Sequence, residues 1–283
     1  MAAEFDTGAT NSWLSGGLGR WLGAGSSPVD WCEDNYTVSP HIAEFVNTLS
    51  NALFVLVPAA AMRLWSSYAK QVSRGVHAVW LLFTVVGLSS AYFHATLSLL
   101  GQLLDELSIL WVLMLSYTLF TPAQYWSRYT RNRFSVYAFG MAFLACLITV
   151  SAFFRPAVNA YALFLVGVPA VRMLVSEIRA TRDPKVVKLG VRTLLALILA
   201  ALAWTSDRFL CWVWKAVHLP VLHALWHVLI FITAYGMQVL FCYFHAAQDV
   251  PESRPVLRFW PRRAFSWGLP YVYCLSAGLD KTP

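Results

Sequence analysis

Charged residues are scarce in this sequence. Only 12% of its 283 residues are Asp, Glu, Lys or Arg, whereas a soluble domain carries about 25%. The mean hydropathy is correspondingly high, at +0.57. These values argue against a soluble globular enzyme. The formal net charge of +7 does not indicate nucleic-acid binding either, because the cations flank apolar segments. The composition therefore predicts a polytopic membrane protein.

Residues that bind cations are few as well. The chain has 14 acidic residues and seven histidines, and it has no histidine-rich loop. A zinc transporter would need more acidic or histidine side chains along several helices. The sequence therefore argues against a transporter, and the few polar residues within apolar stretches become the candidates for function.

Apolar segments long enough to cross a hydrocarbon core of about 30 Å recur along the chain. They occupy residues 41–64, 76–97, 102–121, 134–154, 157–177, 190–212 and 220–244. This pattern predicts an all-α membrane fold with seven transmembrane helices. We expect an N-terminal arm (1–40), a helical domain (41–245) and a C-terminal tail (246–283), in which residues 259–263 resemble an interfacial anchor.

The cations are distributed unevenly about these helices. Four of the 21 lysines and arginines fall at the end that holds the N-terminus, namely Arg20, Arg155, Arg208 and Lys215. The others flank the opposite ends or the tail. The positive-inside rule then places the N-terminus on the lumenal or extracellular side and the C-terminus in the cytosol. We expect an integral membrane protein of the secretory pathway, in the Golgi or endoplasmic reticulum.

Two histidines stand out in the last apolar segment. His223 and His227 lie four residues apart, which puts both imidazoles on one helix face. Two neutral imidazoles directed at one point suit a cation such as Zn²⁺. Alternatively, the two side chains could simply form hydrogen bonds with neighbouring helices.

The seven-helix topology brings further polar residues to the same level of the membrane. Ser90 and His94 end the second helix, and a short turn at Gly101 is expected to return the chain so that Asp105 lies at the same depth. Together with the histidine pair, His94 completes the ligand count of a hydrolytic zinc site. Asp105 or its neighbour Glu106 could be a functional group, or could only cap the third helix.

The N-terminal arm contains a short acidic segment before the first helix. Asp30, Glu33, Asp34 and Asn35 are followed by Glu44, and crowded oxygen ligands of this kind suit Ca²⁺. The acids could instead be solvated, or could favour the dipole of the first helix. Asn35 also begins an N-glycosylation sequon, a use that excludes metal binding.

The sixth helix ends on the side of the arm. Asp207 and Arg208 lie there, and we expect them to form an ion pair, although they could also reach a ligand headgroup. Cys211 follows, on the same oxidising side as Cys32, so a disulfide between these two is allowed. The remaining cysteines are expected to be free thiols: Cys146, Cys242 and Cys274.

Several segments resemble the alkaline ceramidase family, and among its members the Golgi type. They occur in the family's order at residues 29–37, 92–98, 101–107, 206–208 and 222–230, and in the tail at 259–261 and 268–272. The family is part of a wider superfamily of seven-helix hydrolases with adiponectin-type receptors and Per1-like proteins.

The resemblance implies specific roles for the candidate residues. The implied ligands of a catalytic zinc ion are His94, His223 and His227. Asp105 and Ser90 are implied to act beside the attacking water and the substrate amide. The implied calcium ligands are Asp30, the main-chain carbonyl of Trp31, Glu33, Asn35 and Glu44. A Cys32–Cys211 disulfide is also implied.

The function implied is that of a zinc-dependent intramembrane amidase, supported by calcium, that hydrolyses the membrane lipid ceramide to sphingosine and a fatty acid. No protein partner is predicted. Two alternatives remain: a seven-helix lipid receptor with structural zinc, and a lipid hydrolase that acts on another headgroup. The acidic arm, which resembles that of the ceramidases, argues against the second.

Overall fold

The computed structural model describes residues 21–126, 133–155, 157–262 and 266–275. Seven helices within this part of the chain are long and apolar enough to cross a membrane. We name them span 1 (Phe45–Leu64), span 2 (Gly75–Thr96), span 3 (Leu99–Phe120), span 4 (Phe134–Phe154), span 5 (Ala157–Ala180), span 6 (Pro184–Phe209) and span 7 (Leu222–Asp249). The predicted seven-helix membrane fold is confirmed. The first 20 residues of the predicted arm and the last eight of the predicted tail, 276–283, lie outside the described residues.

Short helices complete the helical part. Span 1 consists of two helices, Phe45–Ser50 and Ala52–Leu64, which meet at Asn51. The helix Ser66–Gln71 follows span 1, and the helix Cys211–Ala216 lies between spans 6 and 7. Single turns of 3₁₀ helix occur at Ala123–Tyr125 and Pro251–Ser253. Span 7 is the most buried of the seven spans and span 4 the least, so span 7 forms the centre of the bundle.

Span 6 begins six residues before its predicted start at 190. Asp183 caps it, because its side chain accepts a hydrogen bond from the Lys185 backbone N–H, and Pro184 occupies the first turn. Both are favoured at a helix N-terminus. The prediction placed the start at 190 because Lys185 and Lys188 are charged and the apolar segment begins only after them.

The turn between spans 2 and 3 also differs from its prediction. The reversal occurs at Leu97, in the left-handed conformation with φ 48°, and not at Gly101. Ser98 caps span 3 by accepting the Gly101 N–H. A Cβ on Gly101 would lie 2.9 Å from the Phe93 Cα, so glycine here allows the two helices to approach closely.

The tail forms an antiparallel hairpin that the sequence analysis did not predict. Strand β1 (Pro255–Trp260) pairs with strand β2 (Leu269–Cys274). Leu257 and Phe259 alternate with more exposed residues and are buried, as expected of a sheet with one covered face. The hairpin packs on span 7 and on the helix Ser66–Gln71.

Candidate metal centre

Three histidines meet at the end of the bundle where the N-terminal arm lies. His94 belongs to the last turn of span 2, and His223 and His227 belong to the first two turns of span 7. Their side chains are buried, and their ring centroids lie 4.7 to 5.0 Å apart. One ring nitrogen from each lies within 4.8 Å of the others. The structure therefore brings together the three residues that the sequence predicted to act as ligands.

Each histidine has a buried ring nitrogen that lacks a hydrogen-bond partner within the described part of the chain. These atoms are His94 Nε2, His223 Nδ1 and His227 Nε2. A buried polar atom without a partner costs about 1–3 kcal/mol, and three of them at one point would be unfavourable without a shared partner. Three imidazole nitrogens are a donor set that several divalent metal ions accept. The residues present therefore fit a metal ion.

Hydrogen bonds at the opposite nitrogens set the tautomer of two of these histidines. Ser50 donates its hydroxyl to the Asn47 carbonyl at 2.8 Å, which leaves its oxygen free to accept from His227 Nδ1 at 2.6 Å. His94 Nδ1 contacts the Glu44 carboxylate. In both cases a proton on Nδ1 leaves the Nε2 lone pair directed at the centre, as in many metal sites.

Glu44 is fully buried and joins three elements. Its Oε1 accepts the Trp31 backbone N–H at 3.0 Å, and its Oε2 accepts from the Asn47 amide at 3.0 Å and from His94. Sequence reasoning suggested calcium or a helix terminus as the partner of Glu44. It missed His94, because nothing in the sequence pairs two residues 50 positions apart.

Asp207 connects the arm to span 7. Its Oδ2 accepts the Cys32 backbone N–H and its Oδ1 accepts the His223 backbone N–H, both at 3.2 Å. The expected Asp207–Arg208 ion pair is wrong. Arg208 Nη1 instead donates to the Asp30 carbonyl at 3.3 Å. The Asp207 carboxylate instead accepts from two buried backbone N–H groups, one in the arm and one at the start of span 7. The sequence does not show that these segments meet.

A disulfide holds the arm to the segment after span 6. Cys32 and Cys211 are bonded, with their Cα atoms 5.4 Å apart, which confirms the predicted pairing. Cys146, Cys242 and Cys274 are free thiols, also as predicted. Next to this disulfide, the Trp31 ring stacks on that of His223, one of the three candidate ligands, at a centroid distance of 3.7 Å.

The acidic residues of the arm have different partners. The Asp30 carboxylate accepts from the Asn35 amide at 3.2 Å and faces the Glu44 carboxyl. Glu33 caps span 1 by accepting the backbone N–H groups of Val46 at 2.6 Å and Asn47 at 2.8 Å. Asp34 is exposed and pairs with Lys215.

The charge of Glu44 acts on two neighbouring carboxyls, those of Asp30 and Glu33. Burial raises the pKa of the Asp30 carboxyl, and the charge of Glu44 raises it further. The pKa of Glu33 is raised for the same two reasons, while backbone hydrogen bonds lower it. Each shift is the response of an anion that has lost solvent and gained a like-charged neighbour. A cation between Asp30 and Glu44 would relieve this repulsion, but the calcium site itself stays a prediction.

A cavity extends into the bundle from one of the three histidines, His227. Its polar end is formed by Asn51, Ser90, Asp105 and His227. Apolar side chains from spans 1, 2, 3 and 7 line the rest, among them Phe54, Phe83, Val86, Val112 and Ile230. The cavity therefore combines a polar end beside the candidate metal ligands with an apolar interior.

The cavity distinguishes Asp105 from Glu106. Asp105 is partly buried, lines the cavity and lies beside Ser90. Glu106 belongs to a separate network, in which it accepts from Gln102 at 2.9 Å and from Asn159 at 3.3 Å. Of the two acids that the sequence left as alternatives, Asp105 is the one positioned to meet a ligand in the cavity.

Asn51 is a polar residue of the cavity that the sequence analysis missed. It is buried in span 1, and its Nδ2 donates to the Asn47 carbonyl at 2.9 Å, which fixes the orientation of the amide. Its Oδ1 is buried and has no hydrogen-bond partner in the described ranges. The available signal was an asparagine inside an apolar segment, which in a membrane helix indicates a function or a polar partner.

Comparison with known proteins identifies the family. The model of the family described as Ceramidase matches residues 23–273. The chain is 44% identical to alkaline ceramidase of Drosophila melanogaster over 257 residues, which cover 91% of each protein. It is 40% identical to alkaline ceramidase 1 of Homo sapiens over 248 residues, or 87% of this chain and 94% of that protein. The chain belongs to the ceramidase family.

Proposed function

We propose that this protein hydrolyses the amide bond of ceramide and releases sphingosine and a fatty acid. The observation that carries the proposal is the convergence of three histidine nitrogens that lack hydrogen-bond partners among the described residues, next to an apolar cavity that His227 lines. Relatives named alkaline ceramidase over most of both chains support it.

Zn²⁺ is the metal that we propose for this centre. Three neutral histidines with a fourth position left open are characteristic of hydrolytic zinc sites. His94, His223 and His227 would hold the ion. When bound, it would supply Lewis acidity to the amide carbonyl and lower the pKa of an attacking water.

The residues of the cavity would carry the proton and position the amide. Asp105 accepts a proton from the water while the water oxygen forms a bond to the carbonyl carbon. Asp105 then passes that proton to the amide nitrogen as the carbon–nitrogen bond breaks. Ser90 donates a hydrogen bond to the carbonyl oxygen as negative charge develops there. The free Oδ1 of Asn51 accepts the amide N–H and thereby orients the bond.

The apolar part of the cavity would hold a hydrocarbon chain of the substrate. Phe54, Phe83 and Val112 line it, and they offer no polar atom that could compete for the amide. A chain that moves from the bilayer into this part of the cavity stays in apolar surroundings, whereas the amide would lose its hydrogen bonds there. The chain would therefore occupy the apolar part, while the amide remains at the polar end.

Calcium would bind where the arm meets span 1. The proposed ligands are Asp30, the Trp31 carbonyl, Glu33, Asn35 and Glu44. Two observations support this: Asp30 and Glu44 face each other, and burial disfavours their ionised forms in the absence of a cation. Because Glu44 also contacts His94, calcium would help to hold a zinc ligand in place.

The end of the bundle that holds the metal centre would face the lumen. The Cys32–Cys211 disulfide lies at this end, and disulfides persist in oxidising compartments. The excess of lysine and arginine at the opposite end independently favours a cytosolic location for that end. We therefore propose a lumenal arm, a cytosolic tail and residence in the Golgi or endoplasmic reticulum.

The decisive test is hydrolysis of labelled ceramide by the full chain purified in detergent. We expect sphingosine and fatty acid to appear in equal amounts, to vanish when zinc is removed, and to return with added Zn²⁺. Each variant in which one of the three histidines is replaced by alanine should lose both the metal and the activity. Stoichiometric zinc without turnover of ceramide would instead favour a receptor, and preferential turnover of another lipid would favour a different headgroup.

A further inference from the structure

A second pocket lies at the opposite end of the bundle from the histidines. It is formed where the start of span 6 meets the β-hairpin of the tail. Lys185, Lys188 and Arg192 line it from span 6, and Phe259 and Ser266 line it from the tail. Residues spaced by three and four along a helix share one face, so the three cations point to the same side of span 6.

Arg192 is held in place by the tail. Its Nη1 donates to the Ser266 carbonyl, and its guanidinium lies over the Trp267 ring at 3.7 Å. Its Nη2 is buried and has no hydrogen-bond partner among the residues that the structure describes. A fixed guanidinium with an unused donor is suited to the oxygen atoms of an anion.

The pocket carries an excess of positive charge. Within the part of the chain that the structure describes, no carboxylate forms a salt bridge with Lys185, Lys188 or Arg192. The nearest acid in sequence is Asp183, whose side chain is occupied as the cap of span 6. The N-terminus of this long helix adds a partial positive charge beside the lysines.

Two exposed tryptophans of the tail adjoin Phe259 and Ser266, the residues that line the pocket on this side. Trp260 is 54% exposed and Trp267 is 74% exposed. Tryptophan in such positions is typical of the interface between lipid headgroups and hydrocarbon. A ligand of this pocket would therefore meet cations and a membrane interface together, which favours a lipid headgroup over a free anion.

We propose that this pocket binds the phosphate monoester headgroup of a membrane lipid. A phosphate monoester carries about −1.5 to −2 charges and three acceptor oxygens near neutral pH. These match one guanidinium and two ammonium groups better than a single phosphodiester charge does. The inference concerns the other end of the bundle and does not rest on the proposed hydrolysis.

The test measures lipid binding to the full chain in detergent by native mass spectrometry. The probes are a short-chain phosphatidylinositol 4-phosphate, phosphatidylserine, phosphatidylcholine and inorganic phosphate. We expect one tightly retained phosphatidylinositol phosphate, and we expect Lys185→Gln with Lys188→Gln to raise its Kd about tenfold or more, since two of the three cations of the pocket are removed. Both lysines are exposed, so the double variant should fold normally.

The matched control replaces two exposed cations at the same end of the bundle, Lys70→Gln with Arg74→Gln. It should bind the phosphatidylinositol phosphate within about twofold of the wild type. An equal loss in the control would show a general charge effect and overturn the site. The proposal would also be overturned if the double variant bound the phosphatidylinositol phosphate as tightly as the wild type does. The same holds if the wild type bound phosphatidylserine or inorganic phosphate as tightly as the phosphatidylinositol phosphate.

Discussion

Replacing Glu44 with glutamine should weaken the metal centre, although the shape of the side chain is retained. The carboxylate accepts hydrogen bonds at both oxygens, from the Trp31 N–H on one side and from Asn47 and His94 on the other. A glutamine has one carbonyl oxygen and one NH₂ group. Whichever way the amide turns, its NH₂ group faces a buried donor, so the substitution is not conservative here.

The expected loss follows from these contacts. Removal of the partner that orients a histidine ligand typically lowers metal affinity 10- to 100-fold, or about 1.4–2.7 kcal/mol. In addition, at least one buried donor loses its acceptor, at a cost of about 1–3 kcal/mol in folding stability. We therefore predict for Glu44→Gln a zinc Kd raised 10- to 100-fold and a lower thermal unfolding midpoint.

Competition with a chromophoric chelator measures the zinc Kd directly, without a need for turnover. The titration is run in calcium-free and in calcium-saturated buffer, because Glu44 is also a proposed calcium ligand. The shift should persist without calcium, since it arises from the contact with His94. Asp34→Asn is the matched control, because Asp34 is an exposed acid of the same arm that pairs only with Lys215 among the described residues. A zinc Kd for Glu44→Gln within twofold of the wild type in calcium-free buffer would refute the reasoning.

Three further predictions follow from the cavity and the arm. Asp105→Asn should retain zinc but lower kcat by about 10²-fold or more, whereas Glu106→Gln should act mainly on stability; normal turnover by Asp105→Asn would remove its catalytic role. Asn51→Leu should lower kcat/KM about tenfold for an amide but little for the matching ester, which has no N–H; an equal loss for both would mean that Asn51 only shapes the cavity. Cys211→Ser should lower the unfolding midpoint, since the disulfide closes a loop that spans 179 positions, and should weaken calcium binding; unchanged values would show that noncovalent contacts suffice to hold the arm.

The seven spans could be predicted because length and apolar composition suffice to identify a membrane helix. The shared depth of His94 and the two histidines of span 7 followed from topology, since each lies near a helix end on the side of the arm. The same argument predicted the depth of Asp105, because span 3 begins on the side of the arm and Asp105 lies near its start. These predictions needed only the direction of each helix and the number of residues from its end.

Contacts between distant segments could not be predicted in this way. Ser50 binds His227 across 177 positions, and Asp207 binds the backbone of Cys32 across 175 positions. Such pairs depend on which helices are neighbours and on how each is rotated, and a hydropathy pattern contains neither. The hairpin of the tail was missed for a different reason, because its alternation occupies only two short strands beside a long helical domain.

These long-range contacts make the arm a part of the metal centre. The Trp31 ring covers His223, the backbone of the arm occupies one oxygen each of Glu44 and Asp207, and the disulfide closes the arrangement. The same two carboxylates use their other oxygens for His94 and for the backbone of His223. A displaced arm would therefore leave two buried carboxylate oxygens without donors and would disturb histidines from both helices at once. A cation that orders the arm would therefore raise the zinc affinity through Glu44 and Asp207, although neither carboxylate is a proposed zinc ligand.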